Sequence, residues 1–295
     1  MDYRGYDITE DGNRVIVEGV KDFSPTHTFE CGQCFRWIKE GDGSYTGVVK
    51  GKAANIRFHD GVLVLSNTSL QDFKDLWYDY FDLGRDYSEV KSRISKDGIM
   101  RKAVEFGHGI RLLKQEPWEM LISYIISSNN NIPRIKNTIK TLCRLYGAEI
   151  RFAGGSHYTF PTVESLASSS IEGLNICGGG YRCKYIAKTS RMVRDHEVCL
   201  EKLAGLSTGE ARSELMRLPG VGAKVADCVL LYSGTKHDVF PTDVWVKRVM
   251  ERLYFHRTAR FEEIQSFARE YFDGLAGFAQ QYLFYYAREN KMGVK

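Results

Sequence analysis

A short turn between two helical segments constrains the fold of this 295-residue chain more than any other stretch. Residues 210–217 and 223–232 are predicted to be helices, and Leu218-Pro-Gly-Val-Gly222 lies between them. Pro219 disfavours helical geometry at the residue before it, and the two glycines permit positive φ angles. The sequence therefore predicts a helix, a tight hairpin and a second helix. An ordinary helix connection is the alternative interpretation of the turn.

The predicted hairpin leaves free backbone N–H groups at the start of the second helix. These groups and the helix dipole favour an anion such as a phosphate. Lys224 lies in the first turn of that helix, where the same field disfavours a cation and favours the neutral, nucleophilic amine. Asp243 precedes a later helical segment and is a candidate N-cap. A solvated lysine and a purely structural cap are the alternatives.

The hairpin, Lys224 and Pro241-Thr-Asp243 together resemble the helix-hairpin-helix DNA glycosylases, and nearly the whole chain resembles the 8-oxoguanine DNA glycosylases of the eukaryotic type. The resemblance implies that Lys224 attacks the sugar C1′ of a flipped-out nucleotide while Asp243 supports the reaction. It also implies a Schiff base on Lys224, strand cleavage by β-elimination, and no cofactor.

Four further residues match the base-recognition positions of that family. Gly32 in Gly-Gln-Cys-Phe-Arg-Trp37 resembles the glycine whose carbonyl accepts a hydrogen bond from N7–H of 8-oxoguanine. Cys228 and Phe284 match the pair that sandwiches the base, and Gln280 matches the residue that reads its Watson–Crick edge. Helical spacing places Gln280 with Phe284, and Lys224 with Cys228, on shared faces. An apolar core face is the alternative for Cys228 and Phe284.

Contacts to DNA are implied by the same resemblance. Asn129 matches the residue that enters the gap left by the flipped base, and Arg134 matches a reader of the estranged cytosine. Tyr181 matches a wedge beside the opposite base, with Arg182 on cytosine. The hairpin residues Gly220, Val221 and Gly222 are expected to contact the backbone, so the predicted partner is double-stranded DNA containing 8-oxoguanine.

Two positions depart from the family pattern. Trp245 stands where eukaryotic members usually have a histidine, and a change here affects the hold on the 5′ phosphate or the surroundings of the lysine. Pro133 stands where a small residue is common and is expected to stiffen the loop before Arg134. Neither departure removes a catalytic group.

The predicted fold class is α+β, with an N-terminal antiparallel sheet domain at residues 1–105 and a mostly helical helix-hairpin-helix domain at residues 106–295. Strand-like runs occur at residues 14–18, 35–38, 45–49, 54–58 and 61–66. From Gln115 onward the chain is predicted to be helical, with Pro117 in a first turn and Thr162 as a cap. Residues 128–134 are predicted to form a loop, followed by a helix from Ile135.

Composition limits the classes of function. Hydrophobic residues make up 43% of the chain, and a net charge of +4 is mildly basic. Residues 134–151 and 182–194 each contain five basic residues, as phosphate binding requires, although a solvated helix face gives the same pattern. No apolar run reaches a membrane span and no signal-peptide pattern is present. Irregularly spaced cysteines, the absence of extended targeting tails and the absence of a heptad repeat predict a monomer in a prokaryotic cytoplasm, associated with the nucleoid.

Cysteine spacing argues against a metal site. Cys31 and Cys34 form a single CxxC pair without a second pair at a suitable distance, so no metal is predicted. No cysteine follows Cys228, which excludes the four-cysteine iron–sulfur cluster of some relatives of the superfamily.

Three rival functions fit parts of the sequence. An enzyme of the same fold that removes alkylated purines is disfavoured by Lys224 together with Gly32 and Gln280. A non-catalytic DNA lesion-binding protein does not need both Lys224 and Asp243. A helical RNA-binding module predicts equal affinity for single-stranded RNA and for a lesion-containing duplex.

Overall fold

A computed structural model describes residues 1–292. Its first part is one antiparallel sheet of seven strands in the order β1-β2-β3-β7-β6-β5-β4. The strands are β1 Asp2–Tyr3, β2 Tyr6–Asp11, β3 Arg14–Glu18, β4 Ile38–Lys39, β5 Tyr45–Val49, β6 Lys52–His59 and β7 Val62–Ser66. The predicted N-terminal antiparallel sheet is confirmed, and the residues before Arg14 add two strands that the sequence pattern did not single out.

Alternating burial explains the register of the sheet. Val15 and Val17 of β3 are fully buried and face Leu65 and Leu63 of β7 in the antiparallel pairing. A one-residue slip of β3 would turn Val15 and Val17 to the other face of the sheet. The run at 35–38 differs from its prediction, because only Ile38 of that run pairs in a strand while Trp37 instead stacks on Phe29 in the core.

The rest of the chain is mostly helical, as predicted. The helices are α1 Pro25–Glu30, α2 Leu70–Asp72, α3 Tyr78–Tyr80, α4 Tyr87–Ile94, α5 Gly98–Phe106, α6 Pro117–Ser127, α7 Ile132–Tyr146, α8 Val163–Ala167, α9 Ile171–Asn175, α10 Arg182–Arg194, α11 Thr208–Met216, α12 Ala223–Tyr232, α13 Val244–Met250, α14 Phe261–Phe272 and α15 Ala276–Glu289. Two π-helical turns, Phe73–Trp77 and Glu251–Phe255, continue neighbouring helices, and Leu200–Gly205 is a 3₁₀ helix.

Local signals set several helix ends. Pro117 opens α6 and the Thr162 hydroxyl caps α8, both as predicted. α7 begins at Ile132, three residues before the predicted start, because the Asn131 side chain accepts from the Arg134 N–H at 3.0 Å and Pro133 fits the first turn. The predicted loop before it is correspondingly shorter.

A small two-stranded hairpin interrupts the helical part. It comprises β8 Glu149–Phe152 and β9 Gly155–Tyr158, where only helices were predicted. Ala153 and Gly154 form the turn with φ angles of 50° and 74°. Two positive φ angles in a two-residue turn match the twist of a β-hairpin.

Two apolar cores hold the fold together. One lies between the sheet and the segment from Leu70 to Leu83, and the other joins the helices from Tyr87 onward. The predicted domain limit at residues 105–106 lies at the end of α5, and α4 and α5 pack into the second core. No helix among residues 1–292 is both long and apolar enough to cross a membrane.

Candidate active site

The predicted helix-hairpin-helix is present at α11, residues 217–222 and α12. Gly220 adopts a φ of +81°, and a Cβ there would lie 2.7 Å from the Tyr185 ring of α10, so only glycine fits. The Thr189 hydroxyl of α10 donates to the Pro219 carbonyl at 3.2 Å and holds the turn. Val221 is buried, so its side chain anchors the hairpin. Gly222 precedes α12 without any side-chain cap.

One open cavity brings the predicted catalytic and base-recognition residues together. The space inside it, including the mouth that is open to solvent, is about 340 Å³. Lys224 and Asp243 line it together with all four predicted base-recognition residues, Gly32, Cys228, Gln280 and Phe284. Tyr124, Tyr232, Pro241 and Val246 complete the wall. These residues come from α6, α12, α13, α15, the segment after α1 and the segment just before α13.

Lys224 enters the cavity from the first turn of α12. Its Nζ lies 5.1 Å from the centroid of the Tyr124 ring, a cation–π geometry. Within residues 1–292 the amine makes no ion pair and donates to no oxygen. Lys224 is therefore half-buried against an aromatic face, and in the described chain no carboxylate or carbonyl oxygen holds its Nζ.

Asp243 caps α13, as predicted. Its Oδ1 accepts from the Val246 N–H at 2.7 Å. The preceding segment is held by Gln265, whose side-chain amide donates to the Phe240 carbonyl at 2.7 Å and to the Thr242 hydroxyl at 3.0 Å. The carboxylate is therefore fixed at one side of the cavity while its other oxygen is left without a protein donor in the described chain.

Gly32 presents its backbone to the same cavity. Its φ is +96°, and an added Cβ would lie 3.2 Å from Phe284 and 3.3 Å from Arg288, so both the conformation and the space favour glycine. Its carbonyl accepts from the Tyr124 hydroxyl at 3.1 Å. A carbonyl oxygen has two lone pairs, so one remains for a ligand.

Gln280 offers an unsatisfied polar atom in the cavity wall. Its Nε2 donates to the Pro241 carbonyl at 3.1 Å, which leaves Oε1 buried without a partner among the described residues. An unpaired buried acceptor costs about 1–3 kcal/mol, a penalty that a ligand donor can relieve. The bonding of Nε2 fixes the direction in which the amide faces.

Cys228 and Phe284 supply the apolar walls. Burial raises the pKa of the Cys228 thiol to about 12, despite the opposing effect of Lys224, so the side chain is an uncharged surface. Trp245 packs edge-on against the Phe284 ring with centroids 5.3 Å apart. Trp245 therefore supports a cavity wall in this protein. Among residues 1–292 no cluster of His, Cys, Asp or Glu has the composition of a metal site.

Family comparisons agree with this geometry. The model of the 8-oxoguanine DNA glycosylase N-terminal domain matches residues 15–121. The model of the HhH-GPD superfamily base excision DNA repair protein matches residues 122–273, just over half of the chain. The chain belongs to the HhH-GPD superfamily. The family predicted from the hairpin, Lys224 and Asp243 is therefore confirmed.

Individual relatives of this HhH-GPD protein extend over most of its length. A "Probable N-glycosylase/DNA lyase" of Methanothermobacter thermautotrophicus is 33% identical over 71% of this chain and 73% of its own. The structure of MBOgg1 with a low affinity DNA ligand has a TM-score of 0.95 at 49% identity, covering 97% of this chain and 99% of that one. The Clostridium acetobutylicum 8-oxoguanine glycosylase/lyase, bound to double-stranded DNA with cytosine opposite 8-oxoG, has a TM-score of 0.94 at 41% identity, with the same coverage.

The predicted DNA-contact residues of this HhH-GPD protein lie outside the cavity. Asn129 and Arg134 are exposed, and Asn129 adopts a left-handed φ of 49°. Tyr181 is 53% exposed and packs edge-on against Tyr185. These side chains are therefore accessible to a ligand.

Arg182 is buried, unlike Asn129, Arg134 and Tyr181. Its guanidinium donates to the carbonyls of Ser128, Asn129 and Gly179, with Nη2 2.9 Å from the Asn129 oxygen. In this conformation it ties the start of α10 to the loop after α6. Sequence reasoning assigned it to cytosine and did not foresee this bond to the loop.

Two aromatic cavity residues were not predicted. Tyr124 and Tyr232 are buried and stack with ring centroids 5.3 Å apart and an interplanar angle of 18°. In the sequence both fall within runs of apolar residues, where a tyrosine is an ordinary core residue. The only available signal was a hydroxyl that needs a partner when buried.

Proposed function

We propose that this chain is a bifunctional DNA glycosylase and AP lyase that excises 8-oxoguanine opposite cytosine from double-stranded DNA. The single observation that carries the proposal is one cavity lined by the Lys224 amine, the Asp243 carboxylate, the Gly32 backbone and the Gln280 amide. A relative named N-glycosylase/DNA lyase and a solved 8-oxoguanine glycosylase/lyase support it.

The proposed chemistry begins with Lys224. Its neutral amine attacks C1′ as the bond from C1′ to the base nitrogen breaks, and the electron pair of that bond leaves with the base. Asp243 stabilises the oxocarbenium-like transition state with its negative charge. A proton of the new C1′ ammonium moves to O4′ as the C1′–O4′ bond breaks, and the sugar ring opens to an iminium, the Schiff base on Lys224. Loss of a proton from C2′ expels the 3′ phosphate and cuts the strand.

Base discrimination is proposed to depend on Gly32. The N7–H of 8-oxoguanine donates to the Gly32 carbonyl, whereas guanine has no proton there and would place two acceptors together. Gln280 reads the Watson–Crick edge, where its unpaired Oε1 accepts a donor of the base. Cys228 and Phe284 enclose the base between apolar surfaces, and Trp245 keeps Phe284 in place.

DNA is proposed to lie over the hairpin and the loop after α6. The N–H groups of Gly220, Gly222 and the start of α12 face a phosphate, and Val221 holds the hairpin in shape. Asn129 fills the gap left by the flipped nucleotide, and Tyr181 wedges beside the opposite base. Exposed Arg134 reads the cytosine. Arg182 reaches it by exchanging its loop carbonyls for the N3 and O2 acceptors of that base.

The remaining proposals concern the setting of the enzyme. It acts as a monomer in the cytoplasm at the nucleoid, with a division near residues 105–106 between a sheet unit and the unit that carries the hairpin. Its partner is a duplex with 8-oxoguanine, and the basic helices α7 and α10 supply cations for the phosphates.

Borohydride trapping tests the proposed function. The protein is mixed with a duplex containing 8-oxoguanine opposite cytosine and reduced, and a covalent protein–DNA band is expected. Lys224→Gln should lose the band, whereas Lys202→Gln, which changes an exposed lysine outside the cavity, should keep it.

Other outcomes distinguish the rivals. Base release without a band indicates a monofunctional enzyme dependent on Asp243. Binding of the lesion duplex by Lys224→Gln and wild type alike, without base release by either, indicates a non-catalytic lesion-binding protein.

A further inference from the structure

Tyr124 contacts the two groups on which the proposed reaction depends. It lies in the middle of α6 and is 3% exposed. Its hydroxyl donates to the Gly32 carbonyl at 3.1 Å, and its ring lies under the Lys224 amine, 5.1 Å from Nζ to the centroid. One side chain therefore joins the base-reading carbonyl to the nucleophile.

The position of the Tyr124 ring is itself fixed by its neighbours. Tyr232 of α12 stacks on the ring, and Phe35 packs against it edge-on with centroids 5.6 Å apart. Tyr232 is held in turn, because its hydroxyl donates to the Gln281 side chain at 2.8 Å. Aromatic contacts of this kind hold both the distance and the tilt of a ring.

The Tyr124 backbone reaches the loop on the DNA side. Its carbonyl accepts from the Ser127 hydroxyl at 2.9 Å and from the Ser128 hydroxyl at 3.3 Å. These bonds close the C-terminal end of α6, directly before Asn129. The same residue therefore contacts the segments proposed to read the base, form the covalent bond and fill the gap.

We propose that Tyr124 is a positioning residue that sets the Gly32 carbonyl for the N7–H of the damaged base and holds the Lys224 amine for attack. The inference rests on the proposed function and adds to it one residue with two roles that can be tested separately. The hydroxyl serves base recognition, and the ring serves the amine. Tyr124 itself exchanges no proton or electron pair with the substrate.

The need for such a group follows from the backbone at Gly32. A glycine at φ +96° has no Cβ to restrict its peptide plane, so its carbonyl direction must be fixed by another group. The Tyr124 hydroxyl does this and leaves the second lone pair free. Burial also raises the pKa of Tyr124 well above its usual range, so the donor proton remains in place at any pH at which the protein works.

Two variants separate the duties. Tyr124→Phe removes only the hydroxyl, and Tyr124→Leu also removes the aromatic face. The matched control is Tyr282→Phe, because the Tyr282 hydroxyl also donates to a buried backbone carbonyl, that of Ile110, at 3.1 Å but outside the cavity. Melting temperatures of all variants report any common structural loss.

Two substrates are compared in single-turnover reactions. One duplex carries 8-oxoguanine opposite cytosine, and the other carries an abasic site, which requires the lysine but contains no base to read. For Tyr124→Phe, excision of 8-oxoguanine should fall by about threefold to tenfold, the effect of one hydrogen bond, and borohydride trapping on the abasic duplex should remain within about twofold. Tyr124→Leu should lower both rates, and Tyr282→Phe should change the ratio of the two rates little.

Three results overturn the inference. If Tyr124→Phe excises 8-oxoguanine at the wild-type rate, the hydroxyl does not orient the Gly32 carbonyl. If Tyr124→Phe and Tyr282→Phe both lower the 8-oxoguanine excision rate and the abasic-site trapping rate by the same factor, the effect is one of general packing. If Tyr124→Leu is trapped on the abasic duplex at the wild-type rate, the ring does not position the Lys224 amine. If the wild-type protein itself leaves 8-oxoguanine in place yet is trapped on abasic DNA, the proposed function fails and the base-reading duty fails with it.

Discussion

Replacing Arg212 by alanine should destabilise the protein in a manner that depends on pH. Arg212 of α11 and Asp227 of α12 form an ion pair, with Nε and Oδ1 2.6 Å apart, across the two helices of the hairpin motif. The Asp227 side chain is fully buried, and its Oδ2 has no other partner in the described residues. The pair therefore joins the helix before the hairpin to the helix that carries Lys224.

The pH dependence follows from the pKa of Asp227. Burial raises it from 3.8 to about 6, although Arg212 opposes the shift. The difference corresponds to about 3 kcal/mol in favour of the neutral acid. Because the folded pKa lies above the unfolded value, ionisation lowers stability as pH rises through 6, and stability is regained as pH falls from 6 towards 4. Breaking a buried pair by removing one partner costs about 3–5 kcal/mol.

Arg212→Ala is therefore expected to lose about 3 kcal/mol near pH 8 and much less at pH 5, where Asp227 already holds a proton. Urea unfolding at pH 5, 6, 7 and 8 gives both the midpoint and the slope. Arg217→Ala is the matched control, since it removes an exposed pair with Glu214 at the end of the same helix and should change stability little at every pH. An equal loss for Arg212→Ala at pH 5 and pH 8 would refute the reasoning.

Three further predictions concern the cavity wall. Gly32→Ala, with its Cβ 3.2 Å from Phe284 and a positive φ, should lower stability by about 1–3 kcal/mol in thermal melts and reduce 8-oxoguanine excision more than abasic-site trapping; unchanged melting would contradict it. Gln280→Leu removes both a buried unpaired oxygen and the donor to the Pro241 carbonyl, so the two effects on the melting temperature should largely cancel. The same change should slow 8-oxoguanine excision by at least about tenfold, and normal excision would exclude Gln280 as a reader of the base. Because burial raises the pKa of Cys228 to about 12, iodoacetamide at pH 8 should alkylate this thiol far more slowly than that of the less buried Cys199. Peptide mass spectrometry measures both rates, and equal rates would show that the Cys228 thiol is not buried in solution.

Short-range signals in the sequence predicted much of the fold. Alternating apolar residues gave the strands around Val15 and Leu65, Pro117 gave the start of α6, and Asp243 was correctly expected as a cap. Each depends on neighbours within a few positions. The hairpin at β8 and β9 was missed because its strands have only four residues each and bury no side chain fully, and β9 lacks the polar–apolar alternation that β8 shows.

The cavity could be predicted only as a set of residues, since its assembly depends on distant packing. Gly32 and Phe284 lie at opposite ends of the chain, and resemblance alone associated them before the structure placed both in the wall of one cavity. Tyr124 had no such signal, because its role comes from a hydroxyl bond across 92 positions of sequence. For Arg182 the residue type alone was misleading. An arginine suits the acceptors of a cytosine, but in this structure its side chain donates to carbonyls of the loop after α6.

The backbone on both sides of the Gly32 carbonyl, which is proposed to accept from the damaged base, is held by buried hydrogen bonds. The Cys31 carbonyl accepts from the Gln281 side chain at 3.0 Å. The Gln33 side chain donates to the Thr28 and Arg111 carbonyls at 2.8 Å each and accepts from the Leu113 N–H at 2.9 Å. Both neighbours of Gly32 are therefore fixed by buried hydrogen bonds.

This rigidity matters because 8-oxoguanine and guanine differ at N7 by a single proton. A carbonyl that could rotate would turn to water when guanine entered, and the unpaired acceptor, worth about 1–3 kcal/mol, would no longer count against the normal base. With the neighbouring residues fixed, the peptide plane of Gly32 is the one freedom left, and the Tyr124 hydroxyl restrains it. The proposed discrimination by one hydrogen bond requires a rigid acceptor, and buried polar side chains fix the backbone around Gly32 at the cavity wall that also contains Lys224.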